Sequence, residues 1–146
     1  MFLQAQGNTE ITNIYLIDLE NKPFFKKENN FKEGSIYIGF LNSIHHTVKK
    51  YKSWRMCQTD QLDKEIKSST TNKLLYVVDG GTADLVDHFM TAFIYPVLKY
   101  IKDTNIKPTI YIISGDHAGW CTRTCFEKVM KWNSFQLNII NDTDIQ

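Results

Sequence analysis

The sequence predicts a three-layer α/β domain built on a central, mainly parallel sheet of about five strands. Five short runs rich in β-branched and aromatic residues punctuate the chain, at 14–17, 36–41, 74–78, 109–113 and 135–140. Most are apolar almost without interruption, as strands buried on both faces of a parallel sheet are. Segments with helical periodicity lie between the later runs, so strands and helices alternate, the order that a parallel sheet with helical crossovers requires.

The elements follow in chain order. The first strand, 14–17, runs into Asp18-Leu19-Glu20-Asn21, and the second, 36–41, follows a segment rich in lysine and phenylalanine. A helix is expected around 44–54, then a short polar helix or loop over 57–72 that ends in the connection "SSTTN". The third strand, 74–78, opens onto "VDGGTADLVDH". From 85 to 101 the apolar residues fall at 85, 86, 89, 90, 93, 94, 97, 98 and 101, one stripe of a long helix. Pro96 sits inside it and should kink it, because proline removes one intrahelical hydrogen bond. The fourth strand, 109–113, runs into Ser114-Gly115-Asp116, and a helix from about 120 to 132 presents Phe126, Val129 and Met130. The run at 135–140 supplies the last strand. A length of 146 residues suits one domain, with 1–11 expected as a flexible tail.

Composition narrows the class. The chain is 42% hydrophobic and 23% charged, an ordinary balance for a folded domain and too apolar for disorder. No apolar run approaches the roughly 20 residues of a membrane helix, and "MFLQAQGNTE" has no basic, apolar signal pattern. Three cysteines, Cys57, Cys121 and Cys125, form no disulfide framework and suit a reducing compartment. A cytoplasmic location is expected, and a viral protein inside a host cell would look the same. The net charge of +1 conceals an uneven distribution: 22–55 holds eight Lys/Arg against two acids, a local +6. With Phe24, Phe25, Phe31, Tyr51 and Trp54 interleaved, this segment could grip a nucleic-acid backbone and stack bases. The same pattern also describes a solvated surface with its aromatics turned inward.

In parallel sheets, function gathers at the carboxyl ends of the strands. Asp18 stands at the end of the first strand, Asp79 at the end of the third, and Ser114 and Asp116 at the end of the fourth. Asp84 and Asp87 open the long helix. Each acid has a local explanation as a helix-dipole partner, a turn residue or a cap. Local explanations do not predict that acids recur at one sheet edge. Carboxylates brought together repel, and a hard divalent cation such as Mg²⁺ or Mn²⁺ relieves the repulsion.

"IYLIDLEN", "GGTADLVDHFMTAFI" and "IYIISGDHAGW", in this order and spacing, resemble the PIN-like nucleases, especially their NYN branch. The resemblance spans 14 to about 132. It implies a Rossmann-like α/β/α sandwich and a metal-dependent endoribonuclease that takes one or two Mg²⁺ or Mn²⁺ ions. It implies that Asp18 and Asp116 are the principal metal ligands, joined by Asp84 or Asp87, three apart on one helix face. Asn21 and Ser114 match the residues that support the site. Lys22, Lys26, Lys27, Lys49, Lys50, Arg55, His117 and Arg123 are the candidates to hold nucleic acid. Expected partners are nucleic acid, RNA ahead of DNA, with a second copy of the chain as an option.

The sequence departs from the family pattern where a further acid often follows Ser-x-Asp. Here that place falls on Cys121, or on Ala118 at another spacing. The rival reading is therefore a degenerate PIN-like domain that binds RNA or protein without cutting. His117, Cys121 and Cys125 have helical i, i+4, i+8 spacing, but a closed zinc site needs a fourth ligand that the neighbouring sequence does not offer. Neither cysteine has a nucleophile turn around it. Gly80-Gly81 belongs to no phosphate-loop motif.

Overall fold

A computed structural model describes residues 10–20, 31–43, 51–66, 72–80, 85–114 and 117–142. Six parallel strands form one sheet: β1 (Asn13–Asp18), β2 (Ser35–Asn42), β3 (Arg55–Met56), β4 (Asn72–Val78), β5 (Thr109–Ile113) and β6 (Ile139–Asp142). Their order across the sheet is β3-β4-β2-β1-β5-β6, and every pairing is parallel. Among the described residues four helices accompany them: α1 (Leu62–Glu65), α2 (Leu85–Ala92), α3 (Ile94–Thr104) and α4 (His117–Trp132). The fold class is the one the alternating runs predict, a three-layer Rossmann-like α/β sandwich. The sheet has six strands instead of five, because the two-residue β3 carries no apolar run to betray it.

The strand order fixes where a crevice can form. From β1 the chain winds outward through β2 to β4 and then returns past β1 to place β5 on its other side. Right-handed crossovers put the connections of these two halves on opposite faces. The turns leaving β1 and β5 therefore diverge, and the carboxyl ends of these two strands flank the switch point.

Period-two alternation divides the core into two clusters. Ile14, Leu16, Ile38, Phe40, Ile110 and Ile112 face the helical layer, where Val86, Met90, Val97, Ile101, Phe126 and Val129 meet them. Phe93 lies within 5.2 Å of the Phe40 ring and 4.6 Å of the Tyr76 ring. On the opposite face Tyr15, Ile17, Tyr37, Leu41 and Ile113 pack beneath Leu19, Tyr51, Trp54 and Phe31. Tyr15 stacks between Tyr37 and Tyr111 at centroid distances of 4.7 and 4.4 Å. Burial, reinforced by the two neighbouring phenols, pushes Tyr15 up to about 12, so it stays neutral.

Three local differences from the sequence expectation have physical causes. The helix expected from 85 to 101 is two helices joined at Phe93. Pro96 becomes the third residue of α3, where a backbone N–H would have no intrahelical partner, so it starts a helix instead of kinking one. Asn105, with φ of 55°, closes α3 in the left-handed conformation. The last strand is Ile139–Asp142, and most of the 135–140 run precedes it. The Phe135 amide donates to the Met130 carbonyl at 2.9 Å, while Phe135 and Leu137 pack on the helical core as a connection. Of the helix expected over 44–54, residues 44–50 lie outside the described residues, and 51–54 form a turn in which the Trp54 amide donates to Tyr51. Of the expected tail, 1–9 lie outside the described residues and Ile11 packs on the core.

Gly39, in the middle of β2, is a packing requirement. A Cβ there would stand 2.4 Å from Leu19 Cδ1 and 3.1 Å from Trp54 Cζ3. Leu19 is fully buried and directly follows Asp18, so it has little room to retreat. Gly39→Ala should destabilise the protein by about 1–3 kcal/mol in urea unfolding. An unchanged midpoint would show that Leu19 can repack.

Candidate active site

Asp18 ends β1 with only 1% of its surface exposed. The β1–β5 register pairs Ile17 with Ile113, so the next rung brings Asp18 alongside Ser114 across one strand spacing of about 4.8 Å. Ser114 is also buried. Residues side by side in a parallel sheet share a face. Asp18 thus continues the Ile14, Leu16 series towards the helical layer.

Backbone groups fix this corner. Asp18 Oδ1 accepts the Glu20 amide at 3.1 Å, a tight turn closed by the carboxylate itself. Glu20 Oε2 accepts the Asn42 amide at 2.9 Å, and Asn42 Nδ2 donates to the Gly80 carbonyl at 2.7 Å. The carboxyl ends of β1, β2 and β4 are therefore tied by one polar chain, Asp18–Glu20–Asn42–Gly80. Sequence reading had placed Glu20 beyond the first strand without giving it this part, and it missed Asn42. The signal for Asn42 was present, a polar residue ending an otherwise apolar run.

Asp87 comes from α2. It lies one turn before Thr91, whose hydroxyl is 2.8 Å from that of buried Thr122 on α4. Asp87 and Thr91 share the side of α2 that meets α4. Both helices leave the same sheet edge, so one turn back from the Thr91–Thr122 contact is the level at which α4 begins. Asp87 thus stands on the side of α2 that turns towards the start of α4, just after Ser114. Asp142, which sequence reading passed over, ends β6 in register with Ile113 and adds a fourth strand-end acid position to this edge. Asp79 follows β4 and is exposed.

Asn21, Asp84, Asp116, Lys22, Lys26, Lys27, Lys49 and Lys50 lie outside the described residues, as does the side chain of His117. Among the described residues, no three His, Cys, Asp or Glu side chains gather closely enough to hold a metal. Cys121 is exposed, Cys125 is half-buried and both are free thiols. Arg123 lies on α4 over the ring of Trp120, 5.7 Å from guanidinium carbon to ring centroid.

Arg55 stands apart from the switch point. It is on β3, with β4 and β2 between it and β1, and its Nη1 donates to Glu65 Oε1 at 2.7 Å. Glu65 Oε2 also accepts the Gln58 and Thr59 amides, each at 3.0 Å. The pair clamps the loop after β3 onto α1. Burial alone would raise the Glu65 carboxyl, but Arg55 and the two amides outweigh it and hold the group below its usual range.

The chain is 53% identical over 128 residues to the uncharacterized protein L218 of Acanthamoeba polyphaga mimivirus. The match takes in 84% of this chain and 52% of that protein, so the chain spans about half the length of the curated relative it matches. No family model matches the chain, and no solved structure matches it. Among the described residues, no helix is long and apolar enough to cross a membrane.

A folded-state value held below the unfolded one gives Glu65 a stabilising contribution that is present above the ordinary glutamate value of about 4.3. That contribution disappears as the pH falls from there through the depressed folded-state value. Glu65→Gln should lose about 1 kcal/mol at neutral pH and show a flatter stability profile through this acid window. Urea unfolding at stepped pH checks it, and parallel profiles for the two proteins would contradict the clamp.

Proposed function

We propose that this chain is a metal-dependent nuclease, an endoribonuclease acting on single-stranded RNA. The observation that carries the proposal is a carboxylate, Asp18, buried at the switch point of a doubly wound sheet one residue past the Ile17–Ile113 pair, as the buried hydroxyl residue Ser114 is on the next strand. A buried carboxylate needs hydrogen-bond or charge partners, and the Glu20 amide is one of them.

The donor chemistry suits a hard divalent cation, since carboxylates and a hydroxyl offer oxygen alone. Asp18 would hold Mg²⁺ or Mn²⁺ with Asp116 and with Asp84 or Asp87. When bound, such an ion polarises a phosphodiester and makes water a stronger nucleophile at neutral pH. The protein's own residues do the rest. Glu20, fixed by the Asn42 amide, presents its own amide to Asp18 and keeps the carboxylate oriented. Ser114 and Asn21 would orient the metal-holding carboxylates or a water. The amino end of α4 opens at the same edge, and its dipole favours the negative charge of a phosphate there. The cations Lys22, Lys26, Lys27, Lys49 and Lys50 are proposed to hold the nucleic-acid backbone.

Labelled single-stranded RNA with Mn²⁺ should be cut by the wild type and not in the presence of EDTA. Asp18→Asn and Asp116→Asn should each lower the rate by at least about 100-fold, more than outer-shell losses usually do, with unchanged circular dichroism. Equal cutting by all three proteins would contradict the assignment. RNA binding without cutting under any metal would favour the degenerate module instead.

A further inference from the structure

Trp120 has 58% of its surface exposed, although it lies in the first turn of α4 at the edge where Asp18 and Ser114 sit. Large apolar side chains in the open are informative when they cluster or when a partner chemistry is built around them. Among the described residues of α4, the other exposed aromatic is Trp132. Trp132, the other exposed tryptophan, is twelve residues away, about 18 Å along the helix axis. Among the described residues, the next exposed side chains after Trp120 on α4 are Cys121, Thr124, Glu127 and Lys128. Among the described residues this indole is surrounded by mainly polar exposed side chains, a setting unlike an apolar protein interface or a lipid surface. Its built companion is a cation: the Arg123 guanidinium lies over the ring, and its contact with Glu127 is loose at 3.8 Å. A flat π-face beside a cation matches a nucleobase joined to its phosphate.

We propose that Trp120 and Arg123 form a stacking platform that holds one base of a single-stranded nucleic acid at the mouth of the switch-point crevice. Trp120 stacks the base and Arg123 binds the adjoining phosphate. The platform deepens the nuclease reading by requiring unpaired bases next to the cleaved bond, since a base inside a duplex cannot offer its face.

The test is oligouridylate binding to the full chain in EDTA, which removes cutting from the readout. In a Trp132→Phe background, with Trp54 buried, the oligonucleotide should quench tryptophan fluorescence through Trp120. Trp120→Ala should remove the quenching and weaken binding by roughly tenfold or more. Trp120→Phe should recover most of the affinity, Arg123→Gln should flatten its salt dependence, and duplex RNA should compete poorly. Wild-type affinity in Trp120→Ala, absence of quenching, or an equal loss in Trp132→Ala would overturn the platform. The two ideas fail separately. If RNA is never cut but binding still depends on Trp120, the nuclease reading falls and the platform stands. If cutting depends on Asp18 while Trp120→Ala binds normally, the platform alone falls.

Discussion

Winding a parallel sheet outward from β1 in both directions leaves the carboxyl ends of β1 and β5 as neighbours whose outgoing turns part to opposite faces. The proposed site depends on that divergence, because parting turns leave room between two strand ends without disturbing the core beneath them. The chain puts Asp18 at one lip and Ser114 at the other. Asp18 is buried to 1% exposure, and the Glu20 amide donates to its carboxylate.

The same edge is stiffened at several points. The polar chain from Asp18 through Glu20 and Asn42 to Gly80 ties three strand ends together. The paired hydroxyls of Thr91 and Thr122 hold α2 against α4 and so fix the level of Asp87. Leu19, pressed on the Cα of Gly39, anchors the turn immediately after Asp18. By contrast the Arg55–Glu65 pair, a half-exposed arginine on a buried glutamate, sits at the far edge of the sheet and holds α1 to its loop.

The fold was largely legible because buried parallel strands have an unmistakable composition. The runs at 36–41 and 109–113 coincide closely with β2 and β5. What escaped were elements defined by tertiary pairing: β3 is two residues held by β4, and β6 begins only where Ile139 meets Ile110. The break at Phe93 was hidden because the apolar stripe runs straight across it, and Pro96 marks a start as readily as a kink. Of the candidate site, the strand-end residues Asp18 and Ser114 were readable from position alone. Arg55 was counted with the backbone-gripping cations because charge along a sequence does not reveal a partner ten residues away. Trp120 was read as the aromatic ending "IYIISGDHAGW" and given no contact role, since only the structure shows that it faces solvent beside Arg123.

Paramagnetic line broadening by Mn²⁺ tests most directly whether the switch point holds a divalent ion. Titration of substoichiometric Mn²⁺ into isotope-labelled protein should erase the amide signals of residues 17–20, Ser114 and the first turn of α2. The signals of Gln58, Thr59 and Glu65 at the far edge should remain sharp. Uniform broadening, or loss of signal centred away from Asp18, would contradict a metal centre at the ends of β1 and β5.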